Sequence, residues 1–147
     1  MSKTDFPCDR EGVKKLLPHR DPFLWVSRIL ECDPGKSIIA ELDVDPSLPL
    51  FEGHFPGHPV FPGVLIQEAL AQAACCCIFA DPDREVGVGY FAGLDGARFR
   101  ETVLPGDTIR LEANILQSGK RFCKAEVKAY KGDKVAAEGT QKYMLAG

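Results

Sequence analysis

Apolar residues Val13, Leu16 and Leu17 recur at i, i+3 and i+4 behind Asp9, which predicts a short capped helix stopped by Pro18. Residues 23–30 are rich in apolar and aromatic side chains, and Asp33-Pro34-Gly35-Lys36 is a turn signal. Residues 37–44 alternate with period two, so the two segments predict a hairpin. From 45 to 63 the chain carries Pro46, Pro49, Pro56, Pro59 and Pro62 with Gly53, Gly57 and Gly63, a density that no regular element tolerates. Phe51, Phe55 and Phe61 within it predict a packed, shaped loop. Residues 64–79 are then apolar on nearly every face, which predicts a buried helix started by Pro62-Gly63. Four further segments, 86–99, 107–117, 121–130 and 135–145, read as strands, with turns at Pro105-Gly106-Asp107, Ser118-Gly119-Lys120 and Lys131-Gly132-Asp133.

A hairpin, one hydrophobic helix and a run of antiparallel strands predict an α+β fold with the sheet wrapped around the helix. The 147 residues are expected to form one domain, 1–147. Alternating βαβα order is missing, and Gly87-Val88-Gly89 runs into strand-like residues, so nucleotide binding has no support.

Composition narrows the function classes. With 18 Lys plus Arg against 21 Asp plus Glu, the net charge of -3 argues against a nucleic-acid binder that relies on a basic field. The longest apolar-leaning run without charge, Ala69 to Ala80, falls short of the ~20 residues that span a bilayer. Six cysteines include the run Cys75-Cys76-Cys77, which suits neither disulfide geometry nor zinc spacing. Residues 1–6 show no apolar leader segment, so the expectation is a cytoplasmic protein with free thiols and no membrane contact.

Two of the three histidines, His54 and His58, lie in the proline-rich loop, and Glu68 follows His54 by fourteen residues on the second turn of the apolar helix. No Lys or Arg lies between Ser37 and Asp83 to pair with it. Glu68 is either a carboxyl held in an apolar site, or a surface Glu paired with a strand arginine such as Arg98 or Arg100. His54 is either a base or a loop histidine that satisfies backbone groups, while His19 and His58 read as structural. A neutral-pH base beside a carboxyl in an apolar setting suits proton transfer, and the N–H groups at Gly63 and Val64 can stabilise a developing oxyanion. The pattern points to proton abstraction next to a carbonyl. A metal set of His54, His58 and Glu68 fits poorly, because Pro56, Gly57 and Pro59 prevent the helix its i,i+4 spacing needs. A cysteine nucleophile would need an electropositive setting that Cys75–Cys77 lack.

Two blocks, Leu17-Pro18-His19-Arg20-Asp21-Pro22-Phe23-Leu24 and Gly53-His54-Phe55-Pro56-Gly57-His58-Pro59 through Glu68-Ala69-Leu70-Ala71-Gln72, resemble the (3R)-3-hydroxyacyl-acyl-carrier-protein dehydratases of type II fatty acid synthesis, FabZ type. The resemblance implies a hotdog fold, a curved antiparallel sheet around one long central helix. It implies His54 as catalytic histidine, Glu68 as carboxylate and the Gly63 amide as donor to the thioester carbonyl, with no cofactor. It also implies a homodimer, often a trimer of dimers, in which each site takes its histidine from one subunit and its carboxylate from the other. Cys75, Cys76, Ile78 and Phe91 are the expected lining of an acyl tunnel. Arg98, Arg100, Lys120, Arg121 and Lys124 are the expected contacts for an acidic acyl carrier protein. Ser27 and Gly96 depart from the family pattern, where an acidic residue and an Asn are common. A hotdog acyl-thioesterase and a non-catalytic carrier-binding subunit are the alternative readings.

Overall fold

The computed structural model describes residues 3–146. Helix α1 (Arg10–Lys14) begins at Asp9, whose carboxylate accepts from the Glu11 and Gly12 N–H groups. Strands β1 (Arg28–Asp33) and β2 (Ser37–Asp43) form the hairpin, and a 3-10 turn (Pro49–Glu52) interrupts the loop before helix α2 (Gly63–Phe79). Strands β3 (Val88–Phe99), β4 (Thr108–Ser118), β5 (Phe122–Lys131) and β6 (Lys134–Ala146) complete one antiparallel sheet in the order β1-β2-β4-β5-β6-β3.

Helix α2 is buried on all sides from Ala69 to Phe79, as a helix without a polar face must be. The sheet supplies the matching surface. Alternate residues turn inward: Ile38, Ala40 and Leu42 on β2, Ile109, Leu111 and Ala113 on β4, Cys123, Ala125, Val127 and Ala129 on β5. Small residues on β5 let the sheet close on the helix. Strand β3 differs, because its twelve residues at the sheet edge are largely exposed, Tyr90, Phe91, Leu94 and Phe99 among them. A long apolar edge is open to pairing with another strand.

The first strand starts later than the apolar run predicts. Leu24, Trp25 and Val26 are buried, but they have no partner strand in β1–β2. Their main chain is occupied by a helix side chain instead: Trp25 N–H donates to Gln72 Oε1 at 2.8 Å, and Gln72 Nε2 donates to Phe23 O at 2.9 Å. The apolar pattern is that of a core segment, two of whose backbone groups are satisfied by α2 and a third, Leu24 O, by Arg10 rather than by a ladder.

Candidate active site

The proline-rich loop is built around His54. Its N–H donates to Leu50 O, its carbonyl accepts from Val60 N–H at 2.9 Å, and its Nδ1 lies 2.8 Å from Val60 O. Phe55 and His58 close a tight turn on each other, with Gly57 at φ +71°, a left-handed position that glycine fills without strain. The Phe55 ring stacks on the imidazole at 4.0 Å between centroids. A carbonyl oxygen only accepts, so in the neutral ring Nδ1 carries the proton and Nε2 keeps its lone pair. His54 therefore does satisfy the loop, and that bond is what frees the other nitrogen to act as a base. His58 is exposed and contributes to this arrangement through its backbone alone.

Glu68 lies five residues into α2, partly exposed, and Gln72 Nε2 donates to its Oε2 at 2.9 Å. The i,i+4 spacing puts both side chains on one face. Gln72, 1% exposed, thus clamps three groups: the carboxylate, Trp25 N–H and Phe23 O. Among the described residues no arginine pairs with Glu68, and Arg100 pairs with Glu138 at 2.7 Å. Its neighbour is His19, with Nε2 at 3.9 Å from Oε2, a residue that reads as structural in the sequence. Gln72→Leu leaves a buried N–H and a part-buried C=O unpaired, so urea denaturation is expected to show a loss of about 2 kcal/mol.

Gly63 opens α2 behind Pro62, so its N–H has no intrahelical acceptor. Glycine is needed there for a second reason. A Cβ would stand 2.9 Å from the Phe99 ring, which packs across the helix start.

A narrow pocket holds Glu68 with His19, Gln72, Cys75, Phe91 and Tyr143. His54 is not among its walls, so a single chain does not bring the histidine and the carboxylate together there. A larger cavity of about 670 Å³ lies at the C-terminal end of α2, lined by Phe79, Arg84, Gly87, Lys120, Arg121 and Leu145 among others. The two share one line: Glu68, Gln72, Cys75 and Phe79 along one helix face, Phe91, Gly89 and Gly87 along β3 and its approach, Tyr143 and Leu145 along β6. Between them β3 comes so close to α2 that a Cβ on Gly89 would stand 2.7 Å from Cys75 Sγ.

Of the four residues expected to line an acyl tunnel, Cys75 and Phe91 line this pocket, whereas Cys76 and Ile78 do not. Both are fully buried on other faces of α2, and Phe79 takes the wall position instead. Neither Cys75 nor Cys76 presents a thiolate at neutral pH. Burial pushes Cys75 up to about 12 and Cys76 well above its ordinary range.

The five basic candidates do not form one patch in a single chain. Arg98 and Arg100 lie where β3 pairs with β6 near Ala137, while Lys120 and Arg121 precede Phe122, which pairs with Met144. Seven residues of strand separate the ends, about 23 Å. Lys120 and Arg121 border the large cavity, and Lys124 sits opposite Lys142 on the adjoining strand.

Among known proteins, the FabA-like domain family matches residues 17–140. The chain belongs to this family. Its curated relatives include the 3-hydroxyacyl-[acyl-carrier-protein] dehydratase FabZ of Ruminiclostridium cellulolyticum, 47% identical over 133 residues that cover 90% of this chain and 94% of the relative. The protein of the same name from Symbiobacterium thermophilum is 44% identical over 131 residues, covering 89% and 92%. Among solved structures, the dehydratase heterocomplex ApeI:P of Xenorhabdus doucetiae superposes with a TM-score of 0.81 at 15% identity, covering 98% of this chain and 93% of that one. The sheet wrapped around α2 is the family's hotdog fold, α+β in class.

The two departures from the family pattern lie away from the pocket. Ser27 Oγ accepts from Asp43 N–H at 2.9 Å at the start of the hairpin. Gly96 occupies a bulge of β3 at φ +61°, with open space around it. Asn and Gly are the residues that accept this left-handed conformation, which explains why one can stand for the other. Gly96→Asn is expected to leave the melting temperature almost unchanged, while Gly96→Ala costs about 1 kcal/mol.

Proposed function

We propose that this chain removes water from (3R)-3-hydroxyacyl-acyl-carrier-protein to give the trans-2-enoyl thioester in fatty acid or related acyl-chain synthesis, in the cytoplasm. The observation that supports the reading is the bond from His54 Nδ1 to Val60 O, which leaves Nε2 free to act as a base. The thioester carbonyl accepts from Gly63 N–H at the positive end of α2, and the charge that develops on its oxygen as C2 loses a proton is stabilised there. His54 Nε2 takes that proton. Glu68, held by Gln72, binds the C3 hydroxyl as it departs. The acyl chain follows the line of Cys75, Phe91 and Phe79 toward the larger cavity.

A second chain completes the site in this reading. Glu68 and His54 do not meet within one chain's pocket, and the exposed β3 edge offers the surface for a homodimer. Pairing two such edges also brings more than one group of basic residues within reach of an acidic carrier protein, with Lys120 and Arg121 at the cavity as the first candidates.

The test is the absorbance of the enoyl-thioester band on adding a short 3-hydroxyacyl or crotonyl thioester, with free thiol measured in parallel. Interconversion without thiol release supports the dehydratase. Release of free thiol would mean a thioesterase, and silence with carrier-linked substrate would mean a non-catalytic subunit.

A further inference from the structure

His19 is set on a loop whose backbone is tied down from one side. Arg20 donates to Leu17 O at 2.8 Å, to His19 O at 2.7 Å and to Lys14 O at 3.2 Å. The imidazole is about one-fifth exposed and turns into the Glu68 pocket. Its Nδ1 is buried with no hydrogen-bond partner. Its Nε2 faces Glu68 Oε2 at 3.9 Å, too far for a hydrogen bond between them. That spacing instead leaves a place where one oxygen atom lies about 2.8 Å from both.

The other polar groups of the pocket are already committed. Gln72 gives its amide hydrogens to Glu68 and Phe23 O, and the Tyr143 hydroxyl donates to Gln141 Oε1 at 2.5 Å. His19 and Glu68 are the pair left facing the gap. Burial outweighs the pull of the Glu68 carboxylate and lowers the His19 pKa, so the ring is held neutral. In the neutral ring a proton on Nδ1 would be stranded without an acceptor, whereas on Nε2 it points at the gap.

We infer that His19 is a third catalytic residue, one that donates its Nε2–H to the oxygen of the departing 3-hydroxyl while Glu68 accepts the hydroxyl hydrogen. The role rests on the dehydratase reading. In the step itself, the C2 proton goes to His54 Nε2 and the electron pair of the C2–H bond becomes the C2–C3 double bond. The C3–O bond breaks with its pair on oxygen, and the oxygen takes the proton back from His54 to leave as water. His19 transfers no proton; its hydrogen bond strengthens as charge builds on the leaving oxygen.

Three variants test this: His19→Leu without a donor, His19→Asn with a donor that ends short of the Nε2 position, and His19→Gln with a donor near it. Each is assayed in both directions with a short 3-hydroxyacyl thioester and its enoyl product, beside circular dichroism. The expected result is a kcat about a hundredfold lower for Leu and Asn, with KM changed by less than about twofold, and recovery of most of the loss with Gln. A Leu or Asn variant that turns over like the parent, a loss confined to KM, or a Gln variant no better than Asn would overturn the role. An unsubstituted chain that does not dehydrate would overturn the dehydratase reading itself, and this role with it.

Discussion

His54→Ala is expected to lower kcat by about a thousandfold, the scale on which a positioned general base contributes. The fold survives this change, because the loop keeps its main-chain bonds at 54 and 60 and loses only the side-chain bond to Val60 O, a net cost of about 1 kcal/mol. The measurement is enoyl-thioester absorbance with a urea denaturation curve on the same preparation. Loss of turnover with an intact transition identifies the lost group as chemical rather than architectural. Survival of most of the activity in the alanine variant would remove the base from the reading and leave Glu68 and His19 to be reconsidered as the proton-transfer pair.

The sequence was most legible where local pattern decides the outcome. An apolar stretch with no polar face can only be a buried helix, and α2 starts within one residue of where that pattern begins. The bounds of β2 to β6, though not of β1, and the turns between them followed from alternation and Gly/Pro punctuation in the same way. The candidate site was legible as a local unit, because His54, Gly63 and Glu68 fall on one loop-helix segment. What stayed hidden depends on long-range placement. His19 meets Glu68 across 49 residues, and nothing in its own neighbourhood distinguishes it from a turn residue. The Gln72 clamp was half visible: its i,i+4 spacing from Glu68 can be read from the sequence, but its bonds to Phe23 and Trp25 cannot. Cys76 and Ile78 were misplaced for a related reason, since every face of α2 is apolar and only the strands packed on it decide which face lines the pocket. The basic residues were grouped by sequence proximity and type, whereas antiparallel pairing sends Arg98 and Lys120 to opposite ends of the sheet.

Mixing two dead chains is expected to restore activity. His54→Ala and Glu68→Gln should each be nearly inactive alone. If each site takes its histidine from one subunit and its carboxylate from the other, a mixed dimer holds one site with both defects and one with neither. Co-expression with two different tags, and purification through both, isolates such dimers with about half the activity of the unsubstituted protein. Random reassociation gives about a quarter, because half of the dimers are mixed. Two observations lead to this expectation: the pocket around Glu68 does not include His54, and the β3 edge leaves Tyr90, Phe91, Leu94 and Phe99 exposed in one chain. Phe91 is the informative residue among them, since it lines the Glu68 pocket and also lies on the exposed edge. Closing that edge against a second copy would shape the pocket as it supplies the missing base. Purified mixed dimers as inactive as their parents would show that both residues serve one chain, and β3 would then have to cover the site by some other contact.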